Sequence, residues 1–306
     1  MTISPDIKER RSPERLIEDA RLSVPGIQLP PFVGGDISDV AYRQIGQVLK
    51  AGQGLDLEGY KDLCVKRRVA ARIRAVGFDD PEPYIELLQE SVAEQEQLLE
   101  AITINVSQFF RNPSTFALLE KKVLPELLQQ ARSQNSKLRI WSAGCASGEE
   151  AYSISLLCQD LLQDGDLLSI VGTDISNDIL QRAKQACYGK NRLSEVPAVV
   201  LKNYFVAQGN EFRLSEEIQQ RVRFFRHDIL SEQPNFRVDL VLCRNLLIYF
   251  SRALQEQIIR TLAKALSPGG YLVLGRAETM VTSGRDLFQC IDPAERIYRR
   301  LECEVD

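Results

Sequence analysis

The sequence is poor in histidine, with a single one, His227, among 306 residues. This excludes His-rich metal sites, and a serine or cysteine triad would depend on that one residue. We therefore expect no metal ion. A lone histidine beside a strand end is more often a surface residue or a hydrogen-bonded structural residue, although a role as a base is left open at this point.

Paired cysteines, long apolar runs and an excess of positive charge are also lacking. The seven cysteines form no C-x-x-C pair, which excludes a zinc ribbon and favours reduced thiols in the cytoplasm. No apolar run approaches the roughly 20 residues that cross a bilayer, and the N-terminus lacks a signal-peptide core. A net charge of −4 offers nucleic acid no global attraction. We expect a cytoplasmic protein with no membrane insertion and no nucleic-acid partner.

Three sections follow one another along the chain. Residues 1–35 are rich in proline and mixed charge, which predicts a flexible N-terminal arm. Residues 36–102 place apolar residues three and four apart, which predicts an all-helical N-terminal domain. Residues 103–306 alternate apolar strands with helices, which predicts an α/β domain with a mostly parallel sheet. A Gly-Asn dipeptide between aromatic residues predicts a hairpin inserted near residues 190–222.

The first strand of the α/β section runs into the small-residue turn "SAGCASGEE", which ends on Glu149 and Glu150. Two carboxylates at a helix start would repel the pyrophosphate of NAD or FAD. A carboxylate would instead attract the ammonium and sulfonium groups of S-adenosylmethionine, so we prefer this methyl donor to a dinucleotide. Glu150 is interpreted only as an acidic first-turn residue, and the small residues are also typical of close packing.

Polar residues also follow the later strands, where parallel sheets bind ligands. Asp174 ends the second strand and suits ribose hydroxyls, although it is equally typical of a helix cap. Asp228 follows the third strand, where a carboxylate accepts a hydrogen bond from an adenine amine. Arg244 and Asn245 end the fourth strand, and Tyr249 lies one helical turn later, so all three are predicted to face one cleft. No Pro-Pro follows Asn245, which argues against a nucleic-acid base as methyl acceptor.

Two other segments carry polar residues that core packing does not require. The segment "TINVSQFFRNPSTF" joins the helical and α/β sections, and its Arg111 is predicted to be a fixed cation at the cleft mouth. A helix of the first section is strongly basic, which in a net acidic protein predicts docking to an acidic partner, with a solvated face as the alternative. Its docking residues are Lys66, Arg67, Arg68, Arg72 and Arg74.

Five motifs, in order and spacing, resemble the CheR family of S-adenosylmethionine-dependent chemotaxis protein-glutamate O-methyltransferases. They are "NVSQFFR", "WSAGCASGEEAYS", "GTDIS", "CRNLLIYF" and "PGGYLVLG". The resemblance extends from about Asp36 to Arg300. It implies an α/β fold: a Rossmann-like class I methyltransferase domain with a small inserted antiparallel β-subdomain, preceded by an all-helical N-terminal domain.

The resemblance also implies a site and a reaction. Arg111 and Tyr249 are expected nearest the methyl group, as catalytic residues. The reaction is methyl transfer to glutamate side-chain carboxylates of chemoreceptors in chemosensory adaptation. The cofactor, S-adenosyl-L-methionine with S-adenosyl-L-homocysteine as product, is expected to contact Asn105, Ser107, Arg111, Glu149, Asp174, Asp228, Ile229, Arg244 and Asn245.

The implied partners are the acidic methylation helices of a chemoreceptor, which the basic helix around Arg67 would contact. Relatives that tether to a receptor's C-terminal pentapeptide carry a longer β-subdomain loop than "VAQGNEF", so no tether is expected. The alternative function is a non-catalytic methyltransferase-like docking module of a signalling complex. Methylation of a small molecule or nucleic acid is disfavoured by the missing Pro-Pro motif and the acidic net charge.

Overall fold

The computed structural model describes residues 37–302, apart from residue 59, residues 104–106 and residue 231. The predicted arm, residues 1–35, lies outside the described residues, and so does Asn105 of the predicted cofactor site. The chain divides into two compact units, Met1–Ile104 and Asn105–Asp306.

The described part of the first unit is a set of packed α-helices. They are α1 (Asp39–Gln53), α2 (Asp62–Ala75), α3 (Pro81–Glu90) and α4 (Val92–Ile102). Short polar side chains cap their starts: the Ser38 hydroxyl accepts from Ala41 N and the Ser91 hydroxyl from Glu94 N, both at 3.2 Å. Helix α1 packs on α3 and α4, where Leu88 is fully buried.

The second unit is built on two β-sheets. Its strands are β1 (Leu138–Ala143), β2 (Leu168–Asp174), β3 (Cys187–Gly189), β4 (Phe205–Gln208), β5 (Glu211–Leu214), β6 (Val222–Arg226), β7 (Val238–Cys243), β8 (Leu266–Leu274), β9 (Phe288–Asp292) and β10 (Ile297–Arg300). The larger sheet has the order β6-β2-β1-β7-β8-β10-β9, parallel from β6 to β8 and antiparallel at β10 and β9. Its centre is apolar because helices cover both faces: Ile140 pairs with Ile170 and Leu240, all fully buried.

Helices connect these strands. They are α5 (Pro113–Leu118), α6 (Leu124–Ser133), α7 (Glu149–Gln159), α8 (Asn177–Gln185), α9 (Ala198–Tyr204), α10 (Glu216–Gln219) and α11 (Arg252–Ala265), with a π-helical turn at Leu119–Val123 and 3-10 turns at Lys190–Arg192, Leu247–Tyr249 and Thr282–Gly284. From β1 the chain steps to β2 and β6, then crosses to β7 on the other side of β1. Right-handed crossovers therefore place α7 and α8 on one face and α11 on the other. The carboxyl ends of β1 and β7 form the switch point where such sheets bind ligands.

The smaller sheet has three antiparallel strands in the order β3-β5-β4. Strands β4 and β5 form a hairpin whose turn contains Gly209 with a φ of 61°, a left-handed conformation that glycine adopts without strain. Tyr188 and Phe205 pack edge-to-face on Phe109, with ring centroids 4.8 and 5.3 Å away. The predicted fold, an all-helical domain before a Rossmann-like α/β domain with a small antiparallel insertion, is confirmed.

Membrane spans and metal clusters were both sought. None of the helices in the described ranges combines the length and apolar character that a membrane span needs. Within the same ranges, no group of three or more His, Cys, Asp and Glu side chains is placed to hold a metal ion.

Candidate active site

The turn between β1 and α7 folds back through three left-handed residues. Gly144, Ala146 and Gly148 have φ values of 71°, 48° and 89°, and Gly144 N donates to Thr173 O at 2.8 Å. A Cβ on Gly148 would lie 2.9 Å from the Phe224 ring. Glycine is thus required here both by the backbone conformation and by the close packing that small residues allow.

Asp174 ties this turn to the end of β2. Its Oδ2 accepts from Ala146 N at 3.0 Å and its Oδ1 from Ser176 N at 3.1 Å. Burial raises the pKa of Asp174, although these backbone N–H groups lower it. The residue that caps the start of α8 is Ser176, whose hydroxyl accepts from Ile179 N at 3.4 Å. Asp174 itself is therefore not the helix cap. The remaining carboxylate lone pairs suit the hydroxyls of a ligand.

Glu149 is the first residue of α7 and is fully buried. The Ser147 hydroxyl donates to its carboxylate, 2.8 and 2.9 Å from the two oxygens, and Arg192 Nη1 lies 3.9 Å from Oε1. Burial raises the pKa of Glu149, while hydrogen bonds, among them one with Ser107, and the Arg192 charge lower it. A carboxylate so far from water gains strongly from a cationic ligand.

Arg244, one residue beyond β7, directs its guanidinium into the protein. Its Nη1 donates to Glu150 Oε2 at 3.2 Å, and its Nη2 donates to Arg111 O at 2.7 Å and Asn112 Oδ1 at 2.8 Å. The Arg244 side chain is only 2% exposed. The guanidinium therefore holds the backbone that carries Arg111, and a cofactor contact by Arg244 stays a prediction.

Glu150 does more than begin a helix, which the sequence analysis missed. Besides its ion pair with Arg244, it accepts a hydrogen bond from Ser142 Oγ at 2.7 Å. The only sequence signal for this role is a second acidic residue after Glu149, and first-turn preference explains that equally well. Glu150 thus joins the ends of β1 and β7 through side chains.

Residues 107–112, here called the strap, cross the second unit beside these strand ends. Phe110 N donates to Ser153 Oγ on α7 at 2.9 Å. Phe110 and Asn112 have φ values of 51° and 64°, a left-handed conformation that costs a non-glycine residue about 1–2 kcal/mol. Surrounding contacts must stabilise the strap to offset that cost, and the bonds from Arg244 are among them.

The third strand end lies beside the second. His227 N donates to Asp174 O at 3.1 Å, and Asp228 Oδ1 accepts from Leu230 N at 3.0 Å. Neither buried ring nitrogen of His227 has a hydrogen-bond partner in the described structure, and the ring packs edge-to-face on Trp141 with centroids 5.6 Å apart. Burial lowers the pKa of His227. The ring is therefore held by packing, and not by the surface position or the hydrogen bond expected for a structural histidine.

The other predicted site residues also follow strand ends. Ile229 lies after β6 and is 9% exposed. Asn245 follows β7 with a φ of 60°. Tyr249 ends the 3-10 turn Leu247–Tyr249 and is partly buried.

Two of the five predicted docking residues bind to helix α4. Arg72 donates to both carboxylate oxygens of Glu94 at 2.8 and 2.6 Å, and the Tyr84 hydroxyl donates to the same carboxylate at 2.8 Å. Arg68 donates to the backbone carbonyl of Ile102. These cations of α2 stabilise its packing on α3 and α4.

The other three predicted docking residues differ in exposure, and the Lys66 side chain is only 16% exposed. Lys66 pairs with Asp39 at 2.5 Å and lines a groove of about 640 Å³ beside α1. Arg67 and Arg74 are exposed, and Arg74 Nε donates to the carbonyl of Ala70 at 3.1 Å. Fewer basic side chains of α2 are therefore exposed to solvent than the run of charges in the sequence predicts.

The strand ends together form an acidic set of hydrogen-bond acceptors. Glu149 and Asp228 follow β1 and β6, and Asp174 is the last residue of β2, which lies between these two strands in the sheet. Carboxylates accept from ribose hydroxyls and an adenine amine and attract an ammonium or sulfonium, whereas they oppose a pyrophosphate. The residues present therefore fit S-adenosylmethionine.

Known proteins share both units. The family models "CheR methyltransferase, all-alpha domain" and "CheR methyltransferase, SAM binding domain" match residues 41–103 and 105–297. A chemotaxis protein methyltransferase from Listeria monocytogenes is 34% identical over 78% of this chain and 90% of its own length. An "Uncharacterized 104.1 kDa protein" from Rhodobacter capsulatus is 34% identical over 85% of this chain, which spans only 28% of that protein. A magnesium protoporphyrin IX methyltransferase from Synechocystis, solved with bound SAM, has 18% identity and a TM-score of 0.35, covering 62% of this chain and 81% of its own. The chain therefore belongs to the CheR methyltransferase family, with S-adenosylmethionine as its cofactor.

Proposed function

We propose that this chain is a cytoplasmic enzyme that methylates glutamate side chains of a chemoreceptor, giving methyl esters in chemosensory adaptation. The proposed role in chemotaxis is supported by chemotaxis protein methyltransferases that are similar to this chain over most of its length. The proposal that the acceptor is a carboxylate is supported by one observation about Arg111. The Arg244 side chain binds the backbone carbonyl of Arg111 beside the acidic strand ends. A cationic residue whose backbone is fixed beside a cofactor site suits an anionic acceptor.

The cofactor contacts follow the chemistry of the strand ends. Glu149 would bind the cationic methionine end, Asp174 the ribose hydroxyls and Asp228 the adenine amine. The remaining contacts are proposed for Asn105, Ser107, Arg111, Ile229, Arg244 and Asn245.

The bound cofactor supplies an electrophilic methyl group. The acceptor needs no general base, because a glutamate carboxyl with a pKa of about 4.3 is ionised at neutral pH. Arg111 orients that carboxylate, and Tyr249 donates a hydrogen bond or lines the site. Catalysis in this proposal rests on positioning and on solvent exclusion. A chain whose one histidine is buried and neutral fits this chemistry.

Labelling with a methyl donor tests the whole proposal. The protein is incubated with labelled S-adenosylmethionine and receptor fragments, and we expect a base-labile methyl ester on glutamate. Calorimetric titration with S-adenosylhomocysteine measures cofactor binding separately. Binding of S-adenosylhomocysteine without any methyl ester on the receptor would favour the non-catalytic docking module.

Helix α2 is the proposed contact for the acidic methylation helices of the receptor. Arg67 and Arg74 are exposed and supply the charge, while Arg68 and Arg72 stabilise the helix from within. No pentapeptide tether is proposed, because β4 and β5 are joined by only two residues, Gly209 and Asn210.

Removing the two exposed charges should weaken docking alone. We expect the Arg67→Ala/Arg74→Ala double variant to raise the KM for receptor about tenfold without changing kcat or the affinity for S-adenosylhomocysteine. Higher salt should reduce the difference in the KM for receptor between the variant and the wild type, because salt screens exposed charges. Lys121 and Lys122, both exposed in the second unit, provide a matched Lys→Ala double control. Equal increases in KM for the two double variants would contradict docking through α2.

A further inference from the structure

Glu278 is a buried carboxylate that binds the backbone of two loops. It lies four residues after β8 and is 3% exposed. Its Oε2 accepts from Asn245 N at 3.0 Å and Gly275 N at 2.5 Å, and its Oε1 accepts from Leu247 N at 2.7 Å. The carboxylate therefore joins the loop after β8 to the loop after β7.

The loop after β7 needs such an anchor. It begins with Asn245 in a left-handed conformation, φ 60°, and continues into the 3-10 turn that ends at Tyr249. The first N–H groups of such a turn have no partner within it, so an acceptor must come from elsewhere. Leu246, which follows Asn245, packs on the turn between β1 and α7. A Cβ on Gly144 of that turn would lie 3.1 Å from Leu246 Cδ2.

Gly275 makes room for this arrangement. A Cβ at this position would lie 2.7 Å from Glu278 Oε2 and 2.8 Å from Asn245 N. Such distances are too short for a carbon atom, so any larger residue would push the carboxylate and the Asn245 backbone apart. The glycine and the glutamate thus act as one unit.

The surroundings of Glu278 act on its charge in two opposite ways. Burial raises the pKa of Glu278, although four backbone N–H groups, from Gly275, Asn245, Leu247 and Ile248, lower it. The ionised group is therefore not favoured by its surroundings as a whole. What its two oxygens achieve is to fix several N–H groups of one short loop at once.

We propose that Glu278 is a positioning residue for the methyl-transfer site. It holds Asn245 and the turn leading to Tyr249 in the conformation that binds the cofactor and the acceptor. This inference rests on the roles given to these two residues in the proposed function. Glu278 itself contacts neither the cofactor nor the acceptor in this assignment.

Calorimetric titration of the full chain with S-adenosylhomocysteine tests the proposal. Glu278→Gln retains one acceptor oxygen and turns an amide N–H₂ toward backbone donors, and Gly275→Ala displaces an intact carboxylate. We expect each to bind S-adenosylhomocysteine about tenfold more weakly than the wild type. Because both act on one unit, the double variant should lose much less than the product of the two effects. Hydrogen exchange at Leu247 N should accelerate in both.

A carboxylate far from the site provides the control. Asp166, in the loop before β2, accepts from Gln163 N at 2.8 Å and pairs with Arg132 at 2.5 Å. Asp166→Asn should lower the Tm and leave the affinity for S-adenosylhomocysteine unchanged. Wild-type affinity in a folded Glu278→Gln protein would overturn the proposal. If that variant does not fold, wild-type affinity in Gly275→Ala would overturn it.

The outcome is separate from that of the proposed function. A wild-type protein that binds S-adenosylhomocysteine but methylates no receptor glutamate would refute the function. The comparison of affinities between variants would still decide the role of Glu278.

Discussion

Arg111→Ala is expected to lower kcat/KM for methyl transfer by about 10²- to 10³-fold while part of the cofactor affinity is retained. The guanidinium is proposed to orient the acceptor carboxylate, so its loss affects the reacting geometry most. The fold should persist, because Arg244 Nη2 bonds the backbone carbonyl of residue 111, which alanine keeps. Steady-state kinetics, calorimetry with S-adenosylhomocysteine and the Tm measure the three quantities.

Two variants sharpen this test. Arg111→Lys keeps the charge but loses the planar fork that binds a carboxylate through two N–H groups, so an intermediate rate is expected. Arg260, exposed on α11, provides the matched control, since Arg260→Ala removes an equal charge away from the strand ends. Near-normal turnover of Arg111→Ala would refute its catalytic role, and equal losses in both alanine variants would reduce it to a general charge effect.

The sequence predicted the fold, which is confirmed, and it predicted a site at the strand ends, whose residues stay predictions. Alternating strands and helices imply a parallel sheet, and parallel sheets bind ligands at their carboxyl ends. Residues such as Asp174 and Asp228 could therefore be selected from strand ends alone. Charge at the start of α7 was enough to prefer a cationic cofactor to a pyrophosphate. These inferences depend on local order along the chain, which periodicity and residue type report directly.

Side-chain direction at those strand ends could not be predicted. The sequence did not predict that the Arg244 guanidinium donates to Glu150 and to the backbone carbonyl of Arg111, 133 residues earlier in the chain, and its cofactor contact stays a prediction. Glu278 was not selected at all, because its partners are backbone N–H groups of another loop. Such contacts arise only when distant segments meet, and no spacing rule covers them.

The basic helix shows the same limit for charge. In the sequence Arg72 is one cation in a basic run. In the structure it pairs with Glu94, 22 residues later, next to the buried Tyr84. Breaking this pair would leave the buried Glu94 carboxylate without its cation, which is destabilising. A run of charges in the sequence therefore predicts too large a docking surface, because it includes side chains that bind within the protein.

Glu149→Gln is expected to move cofactor affinity and fold stability in opposite directions. Burial raises the pKa of Glu149, so the ionised carboxylate is less favoured in the fold than in water. Gln keeps an oxygen that accepts from the Ser147 hydroxyl and removes the buried charge. We expect S-adenosylmethionine and S-adenosylhomocysteine to bind about 10- to 100-fold more weakly, because a charge-assisted interaction is lost, while the Tm rises.

Linkage between protonation and folding fixes the pH dependence of this effect. An acid whose pKa is higher in the folded than in the unfolded chain stabilises the fold below its unfolded pKa and loses that contribution as the pH rises through the folded pKa. At neutral pH, ionised Glu149 therefore lowers the stability of the wild-type protein. The gain in Tm from Glu149→Gln should be largest at neutral pH and should shrink on acidification. The raised pKa of Asp174 is common to both proteins and cancels in their difference.

Glu150→Gln provides the matched control, one residue along the same helix. Glu150 pairs with Arg244 and accepts from Ser142 Oγ, so this variant should lower the Tm and weaken cofactor binding less. A lower Tm with unchanged affinity for S-adenosylhomocysteine in Glu149→Gln would make Glu149 a structural residue. Titration with NAD separates charge from shape: if the carboxylate selects against a pyrophosphate, NAD should bind Glu149→Gln at least as well as the wild type. A parallel loss for NAD and S-adenosylhomocysteine would instead mean that the turn itself had moved.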